Sequence, residues 1–259
     1  EKALMIMKDR NTFIAGVANH RSIAWSIAKA IDATGGRLAL GYLGDREREG
    51  IEKIVDQLEG SPMLVHCDVN DNDSVRAAFD AVGKEMGHLD SLVHAIAFAK
   101  REDLDGRFKD TSRDGFELAL GVSAYSLNVL TQAAEPLMKE GSSIVALTFL
   151  GSERAVPNYN VMGVAKAALE ASVRYLARDL GPQGIRVNAL SAGPIKTLAA
   201  RGIKDFPEML RTHAERAAMK RNVTVEEVGQ AGLFLCSPMS SGMTGDILYV
   251  DAGYRFMAG

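Results

Sequence analysis

The sequence predicts an α/β fold, a doubly wound seven-stranded parallel sheet with helices on both faces. Short apolar runs alternate with longer amphipathic segments along the whole chain. Strands that are separated by helices pair in parallel, because each helix carries the chain back across the sheet. Right-handed crossovers then leave few topologies. No repeat, low-complexity tract or linker divides the 259 residues, so we expect one Rossmann-like domain over 1–259.

The elements follow one another in a regular order. The predicted strands are the apolar runs Thr12–Val17, Arg37–Tyr42, Met63–Cys67, Ser91–Phe98, Ser143–Phe149, Arg186–Ser191 and Asp246–Val250. The predicted helices are the amphipathic segments Ser22–Thr34, Asp45–Leu58, Asp71–Met86, Arg113–Lys139, Asn160–Leu180 and Thr224–Leu235. Helix ends are indicated by Gly35-Gly36, Gly60-Ser61-Pro62, Gly141 and Gly181-Pro182.

One long segment without strand character lies between the sixth and seventh strands, from 192 to 221. It contains Gly193-Pro194, Gly202 and Pro207 among apolar residues. Insertions at the carboxyl end of a parallel strand lie where ligands bind in such sheets. We therefore expect a substrate lid over 192–221, with an ordinary pair of surface helices as the alternative.

Composition narrows the classes of function. A net charge of −3 and a pI near 6.0 give no reason to expect nucleic acid or an anionic membrane as a partner. The cysteines, Cys67 and Cys236, form no disulfide framework, so we expect a cytoplasmic protein. The histidines are not paired at i, i+4 and no Cys-x-x-Cys occurs, so no metal site is expected.

The loop after the first strand has features of a dinucleotide site. Gly16 allows a tight turn, and the N–H groups that open the next helix can bind a pyrophosphate. The loop is not a Gly-x-Gly-x-x-Gly motif, and a plain turn capped by Ser22 is the alternative. Further support comes from Asp68-Val69, where a carboxylate could accept from an adenine amino group, and from small residues at the ends of the fourth and sixth strands.

The end of the second strand normally distinguishes NAD from NADP. Asp45 favours a free ribose hydroxyl, whereas Arg46 or Arg48 could pair with a 2′-phosphate. Asp45 could equally serve only to open a helix. We expect NADH as the cofactor, with NADPH as the alternative.

Tyr159 and Lys166 are seven residues apart on a predicted helix. Seven residues are nearly two turns, so both side chains share one face, about 10.5 Å apart along the axis. Beside a nucleotide, a lysine can hold a ribose and favour either hydrogen-bond donation or partial ionisation of a neighbouring phenol.

These residues resemble the enoyl-acyl carrier protein reductases of bacterial fatty-acid synthesis, a divergent branch of the short-chain dehydrogenase/reductase superfamily. Ordinary members of that superfamily carry Tyr and Lys four apart, but position 163 is glycine here. The segments 151–159 and 191–200 are similar to the signature segments of this family. The resemblance extends from Gly16 to Gly253.

The resemblance implies NADH-dependent reduction of a trans-2-enoyl thioester carried by acyl carrier protein, in a homotetramer. Tyr159 would donate a hydrogen bond to the thioester carbonyl, and Lys166 would hold the nicotinamide ribose. The implied cofactor site consists of Gly16, Ser22, Ile23, Asp68, Val69, Ile96, Lys166, Ile195 and Thr197. The implied substrate site consists of Ala99, Phe149, Tyr159, Met162, Ile203 and Phe206.

Two positions depart from the family pattern. Phe149 stands where the family usually has a second tyrosine, so any hydrogen bond from that hydroxyl is lost. Leu43 stands where some relatives place a polar side chain near the adenine. Two other interpretations stay open: a carbonyl or 3-hydroxyacyl oxidoreductase, which would share the cofactor loop but carry Tyr and Lys four apart, and a catalytically silent dinucleotide sensor, which only Phe149 favours.

Overall fold

Seven parallel strands form one sheet in the computed structural model, which describes residues 5–197 and 199–258, without the side chains of residues 199 and 201. The strands are β1 (Asn11–Ala15), β2 (Arg37–Tyr42), β3 (Met63–His66), β4 (Leu89–His94), β5 (Met138–Thr148), β6 (Arg186–Ala192) and β7 (Ile247–Val250). Their spatial order is β3-β2-β1-β4-β5-β6-β7. The predicted doubly wound sheet is confirmed.

Helices cover both faces of this sheet. They are α1 (Ile23–Asp32), α2 (Asp45–Glu52), α3 (Asn72–Met86), α4 (Arg101–Leu104), α5 (Arg113–Leu120), α6 (Ser126–Ala134), α7 (Asn160–Leu180), α8 (Phe206–Arg216) and α9 (Val225–Cys236). Phe13 packs into the core formed with α3, α6 and α7, whereas Ile14 packs into the core formed with α1 and α9. Adjacent residues of β1 thus face opposite layers. None of the helices in the described residues has the length and apolar character needed to span a membrane.

The strand order reverses between β1 and β4, which lie side by side. Ala15, the last residue of β1, is paired with His94, the last residue of β4. The connections that follow these two strands lead to opposite faces of the sheet and leave a crevice at its carboxyl edge. The topology therefore places the ends of β1 and β4 where a ligand can enter.

The prediction of one helix over Arg113–Lys139 is wrong, because the segment is not a continuous α-helix and its helical part ends before Lys139. A π-helical turn, Gly121–Tyr125, separates α5 from α6, and a 3₁₀ turn at Glu135–Leu137 leads directly into β5. Pro136 lacks the N–H that would donate the next α-helical hydrogen bond, so α6 ends at Ala134, just before it.

Gly141 was expected to end that helix, but it lies inside β5. Its φ is +85°, and it adjoins a shift in the register between β5 and β4, at Leu89 and Ser91. A residue in this left-handed region at a register shift is typical of a β-bulge, where glycine carries no steric cost.

The predicted strand Ser91–Phe98 is also too long, because β4 ends at His94. The backbone of Phe98 is bound by a side chain of the helical layer: Ser123 Oγ accepts from Phe98 N at 3.0 Å and donates to Phe98 O at 3.1 Å. The predicted helix Asp45–Leu58 ends at Glu52 and is followed by a separate 3₁₀ turn, Val55–Gln57.

The predicted lid segment, 192–221, contains a 3₁₀ turn at Ala199–Gly202 and the helix α8. Leu198, which belongs to the same segment, lies outside the described residues. The role of this segment as a lid stays a prediction.

A buried arginine joins β6 to the end of α9. Arg186 is 7% exposed, and its guanidinium donates to Leu235 O at 3.0 Å, Ser237 O at 3.1 Å and Ser240 Oγ at 2.7 Å. The last carbonyl groups of a helix lack intrahelical partners and carry partial negative charge. A cation at this place therefore stabilises the end of α9 both by hydrogen bonding and by its charge.

Replacing this arginine by a neutral side chain should destabilise the fold. Arg186→Met is expected to lower the free energy of unfolding by about 3 kcal/mol, because buried carbonyl groups lose a charged donor. Urea unfolding followed by circular dichroism measures the change. Arg178→Met, at an exposed arginine on α7, is the matched control. Equal effects of the two substitutions would contradict this role of Arg186.

Candidate active site

A cavity of about 460 Å³ opens at the carboxyl edge of the sheet, at the crevice between β1 and β4. Its walls come from the ends of β1, β4, β5 and β6, from the start of α7 and from the segment 192–221. The lining is mostly apolar, and it includes the Gly16 loop at one end and Ile203 and Phe206 at the other. Such a shape suits an extended ligand with a polar end and an apolar end.

The turn after β1 requires glycine. Gly16 has a φ of +105°, and a Cβ there would lie 2.2 Å from the carbonyl oxygen of Ala95. Any other residue would therefore clash with the backbone that follows β4. The chain after Gly16 can pass over the sheet edge only because no side chain is present.

Ser22 shapes the same loop, although not as a helix cap. Its Oγ accepts from the N–H groups of Ala18 and Asn19, each at 3.1 Å, and makes no capping hydrogen bond to α1. The alternative interpretation, a turn capped by the Ser22 side chain, is therefore wrong. The first N–H groups of α1 stay available for an anion, and Ile23 and Ala24 line the cavity.

These features fit a dinucleotide. The segment after β4 lines the cavity with the small side chains of Ala95 and Ala97 and with Ile96 between them. Ile195 and Thr197, which follow β6, also line it. Asp68 and Val69 do not line the cavity; they follow β3, two strands from β1. The Asp68 carboxylate accepts from the backbone and side-chain nitrogens of Asn70. The adenine contact of these two residues stays a prediction.

Tyr159 and Lys166 both reach the cavity. Tyr159 immediately precedes α7 and is 8% exposed, and Lys166 lies two turns later and is 5% exposed. Lys166 Nζ donates to the carbonyl oxygen of Leu147 at 2.6 Å. The seven-residue spacing thus brings a phenol and an ammonium group to one site.

Burial determines how these two groups are charged. Burial raises the pKa of the Tyr159 phenol, and the negative charge of Glu170 raises it further. Burial lowers the pKa of Lys166 to about 8, against the opposing effect of Glu170. At neutral pH the phenol therefore keeps its proton. Of the two possibilities raised by the sequence, this favours hydrogen-bond donation over partial ionisation.

The apolar part of the cavity contains all the residues expected at the substrate. Phe149 packs its ring edge-to-face on Tyr159, with centroids 5.0 Å apart and an interplanar angle of 68°. The remaining members of this group that line the cavity are Ala99, Met162, Ile203 and Phe206. Phe149 therefore helps to fix the Tyr159 ring without a hydroxyl of its own.

Several polar residues near the cavity were missed in the sequence. Thr148 and Glu170 are joined by a hydrogen bond, and His94 and Ser126 form another buried pair. Glu170 could have been found, because it lies four residues after Lys166 on the same helix face. The other three become neighbours only through sheet pairing and the π-helical turn.

A family model described as enoyl-(acyl carrier protein) reductase matches residues 16–255. The chain belongs to this family. The enoyl-[acyl-carrier-protein] reductase [NADH] of Bacillus cereus is 49% identical over 97% of this chain and 99% of its own length. The enoyl-[acyl-carrier-protein] reductase [NADPH] of Staphylococcus aureus is also 49% identical, over the same shares of the two chains. The resemblance inferred from the sequence is confirmed.

A solved structure is similar to this reductase-family chain over almost its whole length. The crystal structure of the Bacillus cereus enoyl-acyl carrier protein reductase with NADP⁺ and indole naphthyridinone has a TM-score of 0.96 and 47% identity, covering 98% of this chain and 99% of that one. Relatives named for NADH and for NADPH are thus equally similar, so overall similarity does not decide between the two cofactors.

The described residues contain no cluster of three or more His, Cys, Asp or Glu side chains that could hold a metal ion. Cys67 and Cys236 are free thiols, and both are buried. Burial raises the pKa of each thiol to about 12. Neither thiol is therefore a nucleophile at neutral pH.

His94 should make the protein sensitive to acid. Burial, helped by the charge of Lys166, lowers its pKa from 6.5 to about 3. Its Nε2 donates to Ser126 Oγ at 2.7 Å, because the Ser126 hydroxyl itself donates to Val122 O, and its Nδ1 has no partner among the described residues. Below pH 6.5, His94 binds a proton in the unfolded chain but stays neutral in the folded chain until the pH approaches about 3. Stability is then lost as the pH falls from 6.5 towards about 3.

His94→Gln keeps a donor for Ser126 and removes the titrating ring. As the pH is lowered below 6.5, we expect the free energy of unfolding of the parent to decrease more steeply than that of the variant. The difference in slope should be up to about 1.4 kcal/mol per pH unit. Urea unfolding at several pH values below neutrality measures both slopes. Equal slopes would show that His94 is not the group responsible. Burial also lowers the pKa of His213, but this histidine is present in both proteins and therefore does not contribute to the difference between their slopes.

Proposed function

We propose that this chain is an NADH-dependent enoyl-acyl carrier protein reductase, which saturates the trans-2 double bond of enoyl thioesters in fatty-acid synthesis. The observation that carries the proposal is that Tyr159 and Lys166, seven residues apart, line one cavity together with the Gly16 loop. A phenol that donates, an ammonium group and a dinucleotide loop are the parts that the reaction needs. The family membership agrees with this reaction.

The residues of the chain stabilise the charge that the reaction creates. Bound NADH supplies the hydride that reaches C3 of the enoyl thioester. Tyr159 donates a hydrogen bond to the thioester carbonyl oxygen, and this bond strengthens as negative charge develops there. Lys166 holds the nicotinamide ribose and adds positive potential. C2 of the substrate then takes a proton from water.

The cofactor site of the proposal extends along the carboxyl edge of the sheet. The Gly16 loop and the N-terminus of α1 receive the pyrophosphate, and Lys166 binds the ribose next to the nicotinamide. The remaining proposed contacts are Ser22, Ile23, Asp68, Val69, Ile96, Ile195 and Thr197.

We propose NADH rather than NADPH as the preferred cofactor. Asp45 begins α2 and is exposed, so a 2′-phosphate near it would meet a like charge. Arg48 is engaged elsewhere: its Nε lies 2.9 Å from Glu52 Oε1, and its guanidinium lies 6.0 Å from the centroid of the Tyr42 ring. A 2′-phosphate would have to displace these contacts.

The substrate is proposed to be an enoyl chain bound to acyl carrier protein, with its acyl part among Ala99, Phe149, Met162, Ile203 and Phe206. Segment 192–221 would act as the lid over it. We also propose a cytoplasmic homotetramer. Exposed aromatic side chains would suit contacts between subunits: Tyr175 on α7 and Tyr125 before α6 expose 68% and 62% of their surface.

Loss of either polar group at the centre of the site should reduce turnover of a trans-2-enoyl thioester. Tyr159→Phe removes the donor to the developing charge, and we expect kcat to fall by about 100-fold. Lys166→Ala should mainly raise the KM for NADH, because its ammonium group binds the ribose. Loss of NADH absorbance measures both. Unchanged kinetics in Tyr159→Phe would contradict its role.

The substitution Phe149→Tyr tests whether the missing hydroxyl matters. The phenylalanine ring already fixes Tyr159, so the added group can contribute one hydrogen bond, about 1 kcal/mol, and kcat/KM should rise by less than about tenfold. The same absorbance assay measures it. An inactive parent whose activity returns in Phe149→Tyr would instead mean that the chain is a disabled reductase.

Two outcomes would favour the other interpretations. Turnover of keto or hydroxyacyl thioesters, without turnover of enoyl thioesters, would indicate a carbonyl or 3-hydroxyacyl oxidoreductase. Tight NADH binding without turnover of any enoyl thioester, in both the parent and Phe149→Tyr, would indicate a dinucleotide sensor.

A further inference from the structure

Three polar side chains are buried together behind the candidate active site. Lys166 and Glu170 lie one turn apart on α7 and are 5% and 6% exposed, and Thr148, at the end of β5, is 5% exposed. Buried charges are costly unless other groups compensate them. The presence of a carboxylate here therefore needs an explanation beyond packing.

Two consecutive residues at the end of β5 bind the two charged side chains. Lys166 Nζ donates to the carbonyl oxygen of Leu147 at 2.6 Å, and Thr148 Oγ1 donates to Glu170 Oε1 at 2.6 Å. Both side chains of α7 are thus held against the same strand end. Residues at i and i+4 of a helix have Cβ atoms about 6 Å apart, so the two charges act on one another across a buried space.

The other titratable groups around Lys166 carry no compensating charge. His94, from β4, is neutral at physiological pH because burial lowers its pKa to about 3. Tyr159, from α7 itself, is neutral because burial raises its pKa. The groups that β5 presents are a carbonyl and a hydroxyl. Among the described residues, Glu170 is the carboxylate whose charge opposes the effect of burial on Lys166.

We propose that Glu170 is a positioning residue of the reductase: its carboxylate, oriented by Thr148, keeps Lys166 charged for binding the cofactor ribose. The inference rests on the proposed function, because it assigns Lys166 to the ribose. Glu170 itself acts through Lys166 and touches neither substrate nor cofactor.

A purely structural role for Glu170 makes a different prediction. If the carboxylate only ties α7 to β5, glutamine serves as well, since its amide oxygen can accept from Thr148 in the same way. If the negative charge matters, Glu170→Gln makes the Lys166 ammonium group lose its proton at a lower pH. Burial already lowers the pKa of Lys166 to about 8, so the change falls in an accessible range.

The test is the dissociation constant of NADH as a function of pH, measured by cofactor fluorescence on the full chain without thioester. In the parent, binding should weaken as the pH rises through about 8. In Glu170→Gln the weakening should begin at least about half a pH unit lower, because one counter-charge is removed from a buried ammonium group. The matched control is Asp179→Asn, an exposed acid on the same helix, and it should reproduce the parent.

Further variants make every outcome decisive. Glu170→Met, neutral and of similar volume, repeats the test if the glutamine variant does not fold, and Glu170→Asp, which keeps the charge, should stay near the parent profile. A Glu170→Gln profile that coincides with the parent would overturn the proposal, even if binding is weaker throughout. Failure of both neutral variants to fold, beside a folded Glu170→Asp, would also overturn it. If the parent binds NADH but does not turn over any enoyl thioester, the proposed function is contradicted and this inference is not.

Discussion

The ammonium group of Lys166 is buried, and much of the candidate site is arranged around that burial. Its Nζ lies 2.6 Å from the Leu147 carbonyl oxygen at the end of β5, so the strand supplies an acceptor where water is excluded. The same burial raises the pKa of Tyr159, which leaves the phenol as a donor beside a positive charge. A site with this polarity stabilises negative charge that develops on a nearby oxygen. The proposed reduction of a conjugated thioester creates such a charge.

The sheet provides the rigid base for this arrangement. The strand order reverses between β1 and β4, so the connections that follow these strands lead to opposite faces of the sheet. A crevice remains between them at the carboxyl edge. Gly16 allows the chain after β1 to pass close to the loop after β4, because a Cβ at this position would lie 2.2 Å from the Ala95 carbonyl oxygen. On the other side, Ser123 binds both backbone groups of Phe98 and holds the loop that follows β4. The loop that follows β4 is therefore held at Ala95 by its close approach to Gly16 and at Phe98 by the Ser123 side chain.

The elements that were predicted well and those that were not differ in a physical way. α7 was predicted with its observed bounds, because its apolar face and the glycine after it are local signals. The segment Arg113–Lys139 was predicted as one helix, but a π-helical turn interrupts it and Pro136 ends it. The π-helical turn depends on partners such as His94 and Phe98, which are distant in the chain. The end at Pro136 is a local signal, which the prediction of one continuous helix passed over.

The amino-acid sequence alone determined the fold class and the pair Tyr159 and Lys166, because these depend on spacing along a strand or a helix, and its resemblance to known enzymes indicated the family. Only the tertiary structure decided which further groups surround that pair. Thr148 and Glu170 meet through the packing of α7 on β5, and Asp68 lies outside the cavity because β3 is two strands from β1. The charges of Tyr159, Lys166 and His94 were also decided at this level. They depend on the exclusion of water from the site, and no local pattern in the sequence records which side chains lose their water.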